Sequence, residues 1–396
     1  MSEDDAAGLL GDLLAECVRR DASDLHLAPD LPPYLRVEGV LEPLSERPRV
    51  SPTEIEAVAA WMTRGLDQTP LHATGSLDGA LTGASGARYR FNVFRRQGQL
   101  AISIRQLEDR FRTLPELGLS ESLYRMCDLP DGLIVVAGPT GAGKSTTLAA
   151  FLDRINQTRR CHMITIEDPI EYIHTSKTAL VNQRQVGTDT CGFYEALVAS
   201  LREDPDVILV GEIRDLNTIR TAIVAAETGH LVFTTVHAGD CVGTIERLVA
   251  VFPADEQDGI RRQLALVLRT VIAQHLLVAD GPAAGRGVPF FSKDGRGEKT
   301  SAAESAAPPR RTRVVTSEVL IVTPAVANLI ASAKANQIYS AMEAGGAAGM
   351  QTLEQDLARL WVAGRISETS AVAMAKNPNV LRDRVARMRG AGRGER

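Results

Sequence analysis

Aromatic residues make up only 4% of the 396-residue chain. Few side chains are therefore available to stack on bases, which argues against a single-stranded nucleic-acid channel. An excess of basic charge is also missing. Lys plus Arg number 44 against 49 for Asp plus Glu, a formal net charge of −5, so no global field draws the chain to nucleic acid or to an anionic bilayer. Cysteine is sparse and odd in number: Cys17, Cys127, Cys161, Cys191 and Cys241 form no CxxC pair. That argues against a disulfide framework and a four-cysteine zinc site, and fits a reducing cytosol. No apolar stretch approaches the roughly eighteen residues a membrane span needs. The opening MSEDDAAGLLGDLLAECVRR is acidic where a secretory signal is positive. The expectation is a cytoplasmic chain, neither exported by that route nor membrane-spanning.

What is present is ordinary for a globular protein, 44% hydrophobic and 23% charged residues, over a length that suits about two domains. Leu9, Leu10, Leu13, Leu14 and Cys17 recur at helical spacing. Ser51, Pro52 and Glu54 supply a cap, a first-turn proline and a reciprocal capping acid for a second helix. From Leu77 to Leu107 apolar and polar residues alternate around glycine turns, as half-buried antiparallel strands do. Residues 1–112 therefore read as a small α+β domain. After Arg112 the pattern becomes apolar runs (GLIVVAG, CHMITIED, DVILVGE, HLVFTTVH) separated by helical segments, the signature of buried parallel strands in an α/β domain over 113–380. A Gly-, Ala-, Pro- and Ser-rich stretch at about 281–311 reads as a flexible insertion, and 381–396 as a basic tail that frays from Arg382. Thr352 and Gln355 cap a late helix.

The strongest chemical motif is GPTGAGKST, Gly138 to Thr146 (Gly138, Pro139, Thr140, Gly141, Ala142, Gly143, Lys144, Ser145, Thr146), directly after an apolar strand and before a helix. Glycines let the backbone present N–H groups to phosphate oxygens at the positive end of the following helix. Lys144 supplies a charge for the β and γ phosphates, and the Ser145 hydroxyl is a ligand for magnesium. Two acidic strand ends accompany it: Glu167, Asp168 and Glu171 in ITIEDPIEY, and Glu212 after DVILVG. Carboxylates there hold metal-bound water or orient the attacking one; each alone reads equally as a solvated acidic turn. His237 ends FTTVH, where it suits a phosphate hydrogen bond or a structural role. Arg88, Arg90, Arg95, Arg96 and Arg105 crowd the last strands of the first domain. They form a solvated face, or a source of charge for a transferring phosphate in a neighbouring subunit.

These motifs, with SDLHLAPDLPPYLRVEG, VNQRQVGTDTCGFYEALVASLREDPDVILVGEIRDLNTI, AAETGHLVFTTVHAGD, TPAVANLI and GMQTLEQDLARLWVAGRIS, carry a family likeness from about Ser23 to about Ile366. The chain resembles the ATPases of type II secretion and type IV pilus systems, and within them the PilT-type pilus retraction (twitching motility) ATPases. The resemblance implies a PAS-like N-terminal domain joined to a RecA-like core, assembled as a cytoplasmic homohexamer that uses ATP and Mg2+. It implies peripheral attachment at the inner membrane through a pilus platform protein, and no nucleic-acid partner. By the family pattern Glu167 orients the attacking water, and Glu212 assists through magnesium, or the two exchange roles. His237 contacts the γ phosphate, and Arg88, Arg90 and Arg105 align with arginines that reach a nucleotide, of their own or of the adjoining subunit. The family's retraction members carry AIRNLI where this chain has Ala327 in place of the arginine, a departure bearing on retraction rather than hydrolysis. The chain lacks the tetracysteine module and long N-terminal region of the assembly and secretion branch, which favours retraction. An assembly or secretion motor, a nucleic-acid translocase and a nucleotide-binding module without turnover are the competing readings.

Overall fold

The computed structural model describes residues 1–37, 40–83, 86–107, 110–281 and 313–391. The insertion expected at 281–311 falls, apart from Gly281, outside them.

The N-terminal part runs α1 (Glu3–Arg19), β1 (Ala22–Leu27), β2 (Tyr34–Val37), β3 (Val40–Pro43), α2 (Pro52–Met62), α3 (Thr69–Ala73), β4 (Ser76–Thr82), β5 (Arg88–Arg96) and β6 (Gln99–Gln106). Its strands form one six-stranded sheet in the order β3-β2-β1-β6-β5-β4, antiparallel at every pairing. Helix α2 starts as its sequence requires, with Ser51 and Glu54 capping each other's backbone. The apolar stripes of α1 and α2 bury Leu10, Leu13, Ile55 and Val58 against Leu25, Phe91 and Ile102 of the sheet. Strand β5 alternates strictly: Tyr89, Phe91 and Val93 enter this core. The period of two therefore turns Arg88 and Arg90 to the other face.

The second part contains β7 (Gly132–Ala137), α4 (Lys144–Thr158), β8 (His162–Glu167), β9 (Leu180–Gln185), α5 (Phe193–Ser200), β10 (Val207–Val210), α6 (Leu216–Glu227) and β11 (Leu231–Val236). It continues with α7 (Cys241–Ala250), α8 (Gln257–Val267), β12 (Leu268–Val278) and β13 (Arg313–Ile321). The sheet order is β13-β12-β7-β11-β10-β8-β9. The neighbours from β12 to β9 are parallel, and β13 returns antiparallel beside β12. Strands β7, β10 and β11 are buried along their whole length, because helices cover both faces. Ile134 and Val136 pack with Phe151 of α4, while Leu133 and Val135 pack with Ile219 of α6 and Ile245 of α7. Continuous apolar runs, rather than alternating ones, follow from that sandwiching. The fold class is the expected one, a PAS-like α+β domain followed by a RecA-like α/β domain.

Among the described residues the last five α-helices are α9 (Pro324–Ala331), α10 (Ala335–Ala344), α11 (Leu353–Val362), α12 (Glu368–Met374) and α13 (Pro378–Ala391). The last corrects an expectation. The segment from Arg382, read as part of a fraying tail to Arg396, is helical to Ala391, because Leu381 and Val385 are buried with Leu353 and Leu357 of α11; residues 392–396 lie outside the described residues. Among the described residues no helix is long and apolar enough to cross a membrane.

Candidate nucleotide site

Because β7, β8, β10 and β11 are parallel, their carboxyl ends lie along one edge of the sheet, where open α/β folds bind ligands. The loop 138–143 leaves β7 there. Gly138 (φ 151°) and Gly143 (φ 87°) adopt backbone conformations that L side chains rarely enter. A Cβ on Gly138 would collide with the carbonyl oxygen of Gln274. Gly143 opens α4, so the positive end of that helix faces the loop. Lys144 Nζ lies 3.0 Å from the carbonyl oxygen of Gly138 and 3.1 Å from that of Pro139. Burial draws its pKa down, opposed by the charges of Glu212 and Glu171. Pro139, Thr140, Gly141 and Ser145 are exposed, Ala142 is buried, and Thr146 accepts a hydrogen bond from Tyr172 Oη at 3.0 Å.

Glu167 ends β8. Its Oε1 accepts from Thr165 Oγ1 at 2.7 Å and from Gln183 Nε2 at 3.2 Å. Burial pushes its pKa up to about 7, the hydrogen bonds opposing and Glu171 reinforcing the rise. The carboxyl thus changes charge near neutrality, which suits a proton acceptor. Asp168 is raised in the same direction by burial, with Arg90 opposing.

Strand β10 runs into Gly211, which is cross-braced by its N–H to Ile166 O (2.8 Å) and by Thr235 Oγ1 to its own carbonyl oxygen (2.6 Å). Next comes Glu212, whose Oε2 accepts from Arg214 Nε at 2.7 Å and lies 3.6 Å from His237 Nε2. Burial and the Lys144 charge hold His237 below the usual imidazole range, against the pull of Glu212. The ring is therefore neutral at neutral pH. Phosphate loop, two acidic strand ends and histidine form one electrostatic neighbourhood.

The arginines separate. Arg88 reaches across from the first sheet: Nη2 donates to Ile170 O at 3.2 Å, and Glu167 is the charge acting on its guanidinium. Arg90 lies 4.0 Å from Asp78 and acts on Asp168. Arg105 pairs with Asp24 at 2.7 Å inside the first sheet; that pairing does not bring it to the phosphate loop of its own chain. Beside Asp168 a cleft of about 540 Å³ separates the two sheets, lined by Asp67, Asp78, Asp189 and Cys191 among others and by none of the phosphate-loop residues.

Sequence reading missed Gln274. It sits in β12, fully buried, with Nε2 donating to Ala142 O at 2.6 Å and Oε1 accepting from Thr147 Oγ1 at 2.9 Å. Both amide groups are spent on the phosphate loop and the first turn of α4. The available signal was a lone amide inside the apolar run TVIAQHLLV. A fully buried amide needs partners of its own.

Fold and site together define a phosphate-loop ATPase built on a RecA-like core. The Type II/IV secretion system protein family matches residues 6–361. The chain is 42% identical to the type IV pilus retraction ATPase PilT of Pseudomonas aeruginosa, over 93% of this chain and 98% of that one. It is 33% identical to the type IV pilus ATPase PilU of the same organism, over 93% and 89%. A crystal structure of the pilus retraction motor PilT with bound ADP matches with a TM-score of 0.80 at 38% identity, covering 93% of this chain and 97% of that one. The chain belongs to the Type II/IV secretion system protein family.

Proposed function

We propose that this ATPase is a homohexameric motor whose hydrolysis powers retraction of a type IV pilus, acting at the cytoplasmic face of the inner membrane through a pilus platform protein. The observation that carries the reading is the near-complete likeness to a pilus retraction ATPase, 42% identity over 98% of that protein. The electrostatic neighbourhood of Lys144, Glu167, Glu212 and His237 supports it. Residues 1–112 and 113–380 act as two units, joined where Arg88 meets Ile170.

In this reading Gly138 to Thr146 wrap the phosphates, Lys144 neutralises their charge and His237 contacts the terminal one. Glu167, poised near pH 7, takes the proton of the attacking water. Arg88 and Arg90 hold charge beside that carboxylate and beside Asp168; Arg105 serves an adjoining subunit. Among the described residues no cluster of three or more His, Cys, Asp or Glu cages a metal. That fits Mg2+, which takes one or two protein oxygens and completes its shell with phosphate and water. Ser145 and Glu212 would hold it, and it would neutralise charge developing on the phosphates.

An assembly or secretion motor is the second reading, favoured by one feature: Ala327, half-exposed on α9, offers no cation there. Steady-state hydrolysis by the wild type, Lys144→Ala and Glu167→Gln, with mass in solution, tests the motor. Restoration of twitching to a strain lacking its retraction ATPase tests the direction. Hydrolysis by a hexamer, abolished in both variants and accompanied by rescue, is expected. Hydrolysis without rescue transfers the protein to the second reading, and no hydrolysis in any oligomeric state sinks both.

A further inference from the structure

A charged cluster, buried at Glu318 and partly exposed at Lys376 and Asp240, holds the segment that follows His237, outside the groups already given a role. From His237 the chain passes through Ala238, Gly239 and Asp240 into α7. Three groups from distant segments hold this short connection. His275 Nε2 of β12 lies 2.9 Å from the carbonyl oxygen of Gly239. Glu318 of β13, only 2% exposed, accepts the Cys241 N–H at 3.0 Å through Oε2. Lys376, from the turn between α12 and α13, places Nζ 2.7 Å from Glu318 Oε1 and 3.0 Å from Asp240 Oδ2. Asp240 also caps α7, its Oδ1 accepting the Gly243 N–H at 2.6 Å.

The far side of the cluster belongs to the C-terminal helices. The Lys376 ammonium lies 5.7 Å from the ring centre of Tyr339 in α10. Its neighbour Asn377 donates its N–H to Oε1 of the fully buried Glu354 in α11 at 3.0 Å, and the Tyr339 hydroxyl donates to Oε2 of the same carboxylate. Residues of α10, α11 and the α12–α13 turn are thus linked around Lys376, whose ammonium also meets Glu318 of β13 and the α7 cap Asp240. Of the three charges only the Glu318 carboxylate is desolvated, so losing the ammonium would leave it a buried charge without its cation. What the ionic arrangement adds is a defined position, and one that switches as a unit when the ammonium moves.

We propose that Lys376 is a positioning residue for ATP hydrolysis: by bridging Asp240 and Glu318 it sets where the His237 connection stands over the nucleotide, and so couples α10 to α13 to the nucleotide's terminal phosphate. The proposal rests on the reading of His237 as the contact to that phosphate. It makes the C-terminal helices, rather than the sheet alone, part of the machinery that tells ATP from ADP. The coupling is reciprocal, so a partner that shifts α12 or α13 changes nucleotide discrimination by the same factor.

The test uses the full-length protein with ADP and a slowly hydrolysed ATP analogue as probes, and compares Lys376→Met, Lys376→Arg, His237→Ala and the charge-balanced double variant Lys376→Met with Glu318→Gln. The double variant leaves no orphan carboxylate at residue 318, so it keeps the test valid where Lys376→Met alone fails to fold. Expected for the double variant are a kcat at least tenfold lower, analogue affinity at least fivefold weaker, ADP affinity within twofold of wild type and a melting temperature near wild type. Lys376→Arg keeps kcat within threefold. A double variant with wild-type kcat and wild-type discrimination between analogue and ADP overturns the proposal, as does a parallel loss of both affinities in step with melting temperature. His237→Ala separates the two levels. If it discriminates normally, the phosphate-contact reading fails and this proposal with it; if it loses discrimination while the double variant keeps it, only the role of Lys376 fails.

Discussion

Arg88 Nη2 donates to the carbonyl oxygen of Ile170 at 3.2 Å, a contact that carries a guanidinium from the N-terminal sheet to the end of the strand bearing Glu167. Burial lowers the pKa of this arginine and the Glu167 charge opposes the fall; the guanidinium stays charged, so Glu167 titrates beside a fixed cation. Removing the cation removes a force that favours the ionised carboxylate. Arg88→Ala is expected to lower kcat by about 10- to 100-fold and to move the rising limb of the pH–rate profile to higher pH. Arg88→Lys is expected to retain the position of that limb. A profile of kcat against pH for the three proteins checks both statements.

Glu167→Gln separates chemistry from stability. Loss of the proton acceptor is expected to reduce kcat by about 10²- to 10⁴-fold with ADP affinity retained. Stability moves the other way. The folded-state pKa of about 7 lies above that of an unfolded carboxyl, so the native state binds the extra proton and wild-type stability falls as pH rises from the unfolded to the folded pKa. The glutamine protein is therefore expected to be more stable by about 3 kcal/mol at pH 8, a gap narrowing to below about 1 kcal/mol at pH 5. Denaturant unfolding at the two pH values measures it.

Gln274→Met keeps the volume of the side chain and removes both bonds to the phosphate loop and α4. The Ala142 carbonyl and the Thr147 hydroxyl lose their partner while every residue placed on the nucleotide remains. An ATP KM raised about tenfold, equivalent to about 1.4 kcal/mol of binding, is the expected outcome. Gln274→Glu donates to Ala142 only when protonated, so its KM is expected to rise with pH where that of the wild type does not. Steady-state kinetics from pH 5.5 to about 8.5 read both.

Leu381→Ala addresses the last helix. Leu381 is fully buried with Leu353 and Leu357, and truncating it leaves a cavity worth about 2–4 kcal/mol. A lower melting temperature is expected, whereas Arg382→Ala, on the exposed side, is expected to change stability by less than about 0.5 kcal/mol. Were the segment a frayed tail, neither substitution would register in a calorimetric scan.

Local pattern was sufficient wherever a feature is encoded by neighbours in the chain. The capping box at Ser51 and Glu54, the apolar runs of β7, β10 and β11 and the glycines of the phosphate loop follow from spacing and backbone sterics. They were legible for that reason. The final helix was not: its arginines mimic a solvated tail, and only burial of Leu381 and Val385 against α11 makes it helical. Gln274 and Lys376 were invisible for a related cause, since their partners lie 132 and 58 positions away in sequence.

By itself, then, the sequence determined that the chain holds a phosphate loop followed by acidic and histidine strand ends, because each of those motifs is short and chemically self-contained. Tertiary structure alone decided which arginine meets Glu167, which amide braces the loop and which lysine stands behind His237. Those relationships depend on the stacking order of the sheet and the packing of its helices, where long-range burial and charge pairing select the neighbours that chain proximity leaves open.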